Sequence, residues 1–301
     1  MKQITKIIFL WLLLTAQQTT ASTIKVVTTL TDLRSIAEMI GGDKVETFSI
    51  ATGFQNPHFV DPKPSYIIKL SNADLFVTVG LDLESGWSPS LLASSRNVKI
   101  QRGSAGYVDA SEGVPLQQVP SSINRAEGDI HIYGNPHYWL DPLNGKIIAK
   151  NICDGLTRIS PANKNYFEAN LNTFNSKLDA KIKDWQLKMA PFKGAKIIAY
   201  HNEWCYFENR FNLKVVDFLE PKPGIPPTPS QLVKIIGEIK SNGIKVIITS
   251  PYFSTSSSDV VSKQTGARTA VLATSTGAFE EVKTYFDVFD YNVRKLTEEL
   301  K

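Results

Sequence analysis

Cysteine is scarce in this chain, with two among 301 residues, at positions 153 and 205. Two thiols cannot staple a disulfide-dense scaffold. Without a CxxC pair, neither a zinc ribbon nor a dithiol redox motif is available. An excess of one charge is missing too. The formal net charge is +4, and it falls to +2 without the first 21 residues, which carry Lys2, Lys6 and no acid. So small a surplus of cations argues against nucleic acid as the main partner. With 42% hydrophobic and 21% charged residues, no compositional extreme points to collagen, a coiled coil or predominant disorder. What remains is a globular chain long enough for two α/β lobes.

Long apolar runs are absent except near the N-terminus. Lys2 and Lys6 make a positive end there, residues 7–14 form an unbroken apolar run, and Thr19, Thr20 and Ala21 are small enough for a signal peptidase. The run is far short of the roughly 20 residues that span a bilayer as helix. Residues 1–21 therefore predict a cleaved secretory signal, with Ser22 as the new N-terminus and the periplasm as the destination. No cysteine follows the cleavage point, so lipid attachment there is not expected.

Beyond the signal, β-rich runs alternate with amphipathic helices, the pattern of parallel sheets covered by helices. Residues 24–28, 45–50 and 75–79 read as strands. Leu33, Ile36, Ala37 and Ile40 share one helix face that ends at Gly41 and Gly42. In the second half, residues 197–200, 215–219, 246–249 and 270–273 are strand-like. Thr228 and Pro229 open a helix that carries Leu232, Ile235, Ile236 and Ile239. Between the halves, Phe167, Leu171, Phe174, Leu178, Ile182, Trp185 and Met189 recur at steps of three and four, from Ser160-Pro161 to Pro191. About 29 helical residues would make a rod of roughly 40 Å, long enough to brace both lobes. The expected organisation is an N-terminal α/β lobe at 22–160, a connecting helix at 161–190 and a C-terminal α/β lobe at 191–301, with a cleft between the lobes. Residues 102–130, rich in Gly, Ser and Pro, read as an extended loop.

The chain has four histidines: His58, His131, His137 and His201. The cassette Asn-Pro-His-aromatic occurs twice, at 56–59 and 135–138. Its X-Pro step holds the backbone extended or turned, which aims an imidazole out of a loop. His201 follows a strand, at the carboxyl end where α/β sheets present ligand-binding groups. His58, His137 and His201, drawn from both lobes, suit a divalent transition metal.

The chain resembles the metal-binding subunits of bacterial ABC importers for zinc and manganese, the cluster A-I substrate-binding proteins. The resemblance is carried by residues 26–29, 56–65 (NPHFVDPKPS), 73–75, 79–84 (VGLDLE), 135–142 (NPHYWLDP), 200–207 and 220–229 (EPKPGIPPTP). It implies two α/β lobes joined by one backbone helix, a single metal in the cleft, and ligands at His58, His137 and His201. Histidine at the third position favours Zn²⁺ as the transported ion, with Mn²⁺ as the second choice. It further implies delivery to an inner-membrane ABC permease with its ATPase; a monomer is expected, and no nucleic acid.

One departure concerns the fourth ligand. Many members of this family carry an aspartate where this chain reads VLATS at 271–275. Water, Glu203, His131 and, last, Cys205 are the candidates for the fourth position. Cys153 and Cys205 are either a disulfide or two separate buried thiols. Tyr138, Trp139, Trp204 and Tyr206 are expected to wall the cleft, and Asp61, Asp141 and Glu220 to orient the ligands. Three histidines with an open position are also the parts of a zinc hydrolase, although no HExxH helix is present. A metal-binding surface adhesin is a further alternative.

Overall fold

The computed structural model describes residues 23–121 and 131–301; the expected signal segment lies outside them. The first lobe is built on β1 (Ile24–Thr28), β2 (Val45–Ser49), β3 (Leu75–Thr78) and β4 (Tyr107–Asp109), all parallel, in the order β2-β1-β3-β4. The second is built on β5 (Lys196–Ala199), β6 (Lys214–Phe218), β7 (Val246–Thr249) and β8 (Arg268–Val271), also parallel, in the order β6-β5-β7-β8. The two orders are the same after an offset of four. β3 (LFVT) and β7 (VIIT) are buried along their whole length, which is why they read as apolar runs without alternation. β4 lies inside the segment expected to be loop. Three residues are too few to show a period, and the strand exists because Phe76, Val77 and Thr78 pair with it.

The helices are α1 (Thr31–Gly41), α2 (Pro64–Ser71), α3 (Ser88–Ser95), α4 (Asn144–Ile159), α5 (Lys164–Met189), α6 (Cys205–Phe211), α7 (Pro229–Asn242), α8 (Ser256–Thr265) and α9 (Tyr285–Glu299). In α1 the predicted face, Leu33, Ile36, Ala37 and Ile40, is buried. The Thr228 hydroxyl accepts the Gln231 N–H at 3.2 Å and caps α7. No helix among the described residues is long and apolar enough to cross a membrane.

The expected connecting helix is α5, with a single 3₁₀ turn at each end, Pro161–Asn163 and Ala190–Phe192. Its 26 residues span about 39 Å. Ser160 bounds the first turn without capping it; its hydroxyl accepts instead from the Asn163 side chain. Phe167, Phe174, Leu178, Ile182, Trp185 and Met189 are buried, against α1 and α4 on one side and α6 and α9 on the other. Burying such side chains is worth about 1.5–3 kcal/mol each, so one face of this helix ties the lobes together.

The C-terminal helix α9 returns to the first lobe. A capping box of Thr284 and Asp287 starts it. The Tyr285 N–H donates to Ser35 Oγ at 3.0 Å and its hydroxyl to the Trp139 carbonyl at 2.7 Å. More bonds cross the seam between lobes. Thr31 Oγ1 donates to the Thr276 carbonyl at 2.7 Å, and Asp32 Oδ1 accepts from both Thr276 N and Oγ1 at 3.0 Å. Arg210 grips Asp141 with two nitrogens, at 2.7 and 2.8 Å. Gly53 abuts the backbone at Thr276, Gly277 and Ala278 so closely that a Cβ would run into it.

Candidate metal centre

Each candidate ligand is carried on a connection that leaves the carboxyl end of a strand, His58 after β2, His137 after β4 and His201 after β5. One ring nitrogen from each of the three lies within 4.8 Å of the others. His137 and His201 are buried and His58 is half-buried. The three expected residues are therefore brought to one point between the lobes.

The repeated cassette works the same way both times. Asn56 Oδ1 accepts the His58 backbone N–H at 3.0 Å and meets His58 Nδ1 at 2.9 Å. Asn135 Oδ1 accepts the His137 N–H at 3.0 Å and meets His137 Nδ1 at 2.9 Å. The backbone donor identifies the amide atom as oxygen, and an oxygen that only accepts requires Nδ1 to carry the proton. Nε2 is then the lone-pair nitrogen on each ring, the tautomer a metal needs. His137 Nε2 is buried with no hydrogen-bond partner among the described residues. The second lobe uses a different device. Glu220, just past β6, meets His201 Nδ1 at 2.6 Å through Oε2. The carboxylate accepts a hydrogen bond from that nitrogen, so Nε2 is again the lone-pair nitrogen of the ring.

Burial, followed by the neighbouring histidines, holds His58 and His137 well below the ordinary imidazole pKa of 6.5. His131 is lowered to about 4 by burial and then by His201. Its Nε2 lies 3.1 Å from His58 Nε2, with ring centroids 5.1 Å apart. Glu203 is fully buried behind the site, and its two oxygens accept from Ser250 Oγ and, at 2.5 Å, from the Tyr252 hydroxyl. Burial raises its pKa. Cys205 begins α6, and burial pushes its thiol up to about 12, which keeps it protonated. Cys153 and Cys205 are separate, buried, free thiols, so the disulfide alternative is not formed.

Of the acids expected to orient ligands, Glu220 is the one that holds a candidate ring. Asp141 is paired with Arg210 instead, and Asp61 is exposed. Asn56 and Asn135 take that role in the first lobe. The signal for them was available, since an Asn two residues before the imidazole in both cassettes is placed to form an Asx turn. Tyr138, Trp139, Trp204 and Tyr206 are fully buried and brace the loops from behind rather than lining the opening. The Tyr138 hydroxyl donates to the Val79 carbonyl, Trp139 Nε1 to the Thr274 carbonyl and the Tyr206 hydroxyl to the Asn135 carbonyl. Gln118 was missed altogether. Its Oε1 accepts from the Asn135 and Asn202 side chains at 3.0 and 2.9 Å, which links the His137 and His201 loops.

A cavity of about 230 Å³ opens beside His58, His201 and Glu220, lined also by Phe59, Tyr200 and Phe253. That is below the roughly 300–1,000 Å³ of pockets for drug-sized ligands. A larger cavity of about 840 Å³, between α5 and α9, contains no histidine. The smaller one is the cavity beside the converging rings, lined by His58 and His201.

Residues 26–299 match the family described as ZnuA, zinc-uptake complex component A, periplasmic. The chain belongs to that family. ZnuA-family proteins are substrate-binding components and not enzymes, so the hydrolase alternative is set aside. The role is that of a metal-binding solute-binding protein in ABC uptake. The metal ABC transporter substrate-binding lipoprotein ScbA of Streptococcus cristatus is 29% identical over 94% of this chain and 91% of its own length. The manganese ABC transporter substrate-binding lipoprotein PsaA of Streptococcus pneumoniae is 27% identical over 95% and 92%. A crystal structure of ZnuA superposes with a TM-score of 0.79 at 25% identity, covering 93% of this chain and 100% of the other. The Mn-bound periplasmic metal-binding protein of Candidatus Liberibacter asiaticus, at 21% identity, has a TM-score of 0.77 over 93% and 100% and shares the fold.

Proposed function

We propose that the chain captures a divalent transition metal, Zn²⁺ ahead of Mn²⁺, through His58, His137 and His201. It then delivers the ion to an inner-membrane ABC permease with its ATPase. The observation that carries this reading is the set of three imidazoles whose Nδ1 atoms each face a fixed acceptor, with one nitrogen from each ring within 4.8 Å of the others. Imidazole suits zinc, whereas manganese favours carboxylate and water oxygen. The nearby carboxylates are engaged elsewhere, Glu220 with His201 Nδ1 and Glu203 with two hydroxyls.

The protein works as a monomer in the periplasm after loss of residues 1–21, and nucleic acid is not a partner. The long helix and the bonded seam oppose wide hinge opening, so release proceeds by movement of second-lobe loops. Metal analysis of protein purified without chelators, followed by competition, tests the reading. Zinc is expected at one equivalent and is retained against excess Mn²⁺. Stoichiometric manganese that zinc fails to displace would reverse the preference. Mass analysis of exported protein should find Ser22 at the N-terminus.

A further inference from the structure

We propose that His131 is the fourth metal ligand and closes the coordination sphere from a turn at the rim of the cleft; this rests on the three-histidine reading above. With Zn–N bonds of about 2.0–2.1 Å, the nitrogens of a tetrahedral site stand about 3.3–3.4 Å apart. His58 Nε2 and His131 Nε2 are already 3.1 Å apart, close to one edge of such a tetrahedron. His58 Nδ1 holds a proton against Asn56, so its Nε2 is the acceptor in this contact and His131 Nε2–H the donor. A metal ion takes the place of that bridging proton, which moves through solvent to Nδ1 of the same His131 ring. No charge is lost or gained by the protein.

Glu203 is less able to serve. Bringing Glu203 to the ion would strip two hydroxyl donors from a fully buried carboxylate. His131 is only half-buried and sits beside a turn at residues 132–133. Gly134 N–H closes that turn on the His131 carbonyl at 3.2 Å, and Gly134 has a φ of +113°, a conformation L side chains rarely adopt. The turn is tethered by Ile132 N–H to Asp82 Oδ2 at 3.2 Å. Asp82 has a φ of +69° within the VGLDLE segment, which gives this motif a task in the site: it holds the fourth ligand's turn over the cleft. The ring of His131 stands farther from His137, at 6.2 Å between centroids, than from His58, at 5.1 Å. The nitrogens that already converge are those of His58, His137 and His201, so His131 joins them only by moving inward from the His58 side.

X-ray absorption of the zinc-loaded protein tests this, with zinc affinity measured against a chromophoric chelator. The wild type should show four imidazole nitrogens. His131→Ala should show three with one oxygen, and bind zinc on the order of 100-fold more weakly, the share of one ligand among four. His131→Cys should restore a four-coordinate shell with one sulfur at the longer Zn–S distance, a result that loss of folding cannot mimic. Asp82→Ala, which removes only the tether, should weaken binding less than His131→Ala. Three imidazoles in the wild type, or a shell and affinity unchanged in His131→Ala, would overturn the proposal and leave the three-histidine site intact. Zinc bound as tightly by His58→Ala and His201→Ala as by the wild type would instead overturn the reading beneath it.

Discussion

The two lobes hold their imidazoles by different means. In the first lobe a neutral amide two residues upstream grips each ring, and a proline between them narrows the backbone. In the second, a carboxylate 19 residues away, at the end of the neighbouring strand, grips His201. The first device is local and repeats wherever three residues are repeated. The second depends on β6 lying beside β5 and adds a negative charge behind the His201 ring. The lobes thus divide the work: one supplies pre-set direction, the other supplies charge.

The largest effect that bears on this division is loss of a ring. His58→Ala, His137→Ala or His201→Ala should each weaken zinc binding by about 3–4 kcal/mol, one ligand's share of the binding energy of such a site. Calorimetric titration measures it, and near-equal losses are expected from both lobes. A variant that still bound at wild-type strength would remove its residue from the site. The next effect separates the lobes. Glu220→Gln keeps an acceptor for Nδ1 but removes the charge, and should cost toward the upper end of the roughly 10–100-fold that outer partners contribute. Asn56→Ala and Asn135→Ala lose orientation alone and should fall toward the lower end. Should the asparagine variants prove the weaker binders, direction rather than charge dominates and the comparison inverts.

The seam between the lobes gives a smaller, pH-dependent effect. Burial raises Asp32 from 3.8 to about 6. Between those values the folded chain holds a proton that the unfolded chain releases, so wild-type stability declines as pH rises through that window, by about 2–3 kcal/mol in all. Asp32→Asn cannot lose this proton. The difference in Tm between Asp32→Asn and the wild type should therefore shift in favour of the variant from pH 4 to pH 7. A pH-independent difference would mean that Asp32 is not buried as a titrating acid. The smallest effect is at the thiols. Cys153 and Cys205 are buried and burial raises both pKa values, so alkylation of the native protein should be negligible and become complete only on unfolding.

Much of this was readable beforehand because the relevant physics is short-range. The α1 face, the Thr228 cap and the α5 stripe follow from side-chain spacing along one helix. The paired cassettes marked two of the histidines, and the strand end marked the third. What escaped depended on partners distant in the chain. β4 is strand because β3 pairs with it. Glu203 is withheld from the site by Ser250 and Tyr252, 47 and 49 positions away. Asp141 looked like an orienting acid until Arg210, 69 residues on, was found holding it. The function of Gln118 exists only where Asn135 and Asn202 meet from opposite lobes.

The amino-acid order alone determined two α/β lobes, the brace between them and the rings to be brought together, since periodicity and proline act within a few residues. Tertiary structure decided which nitrogen of each ring meets a protein acceptor, which acids are already spoken for and how far His131 stands from His58. Those outcomes turn on distances of about 3 Å, the reach of a hydrogen bond, between groups that the chain alone leaves free to be anywhere.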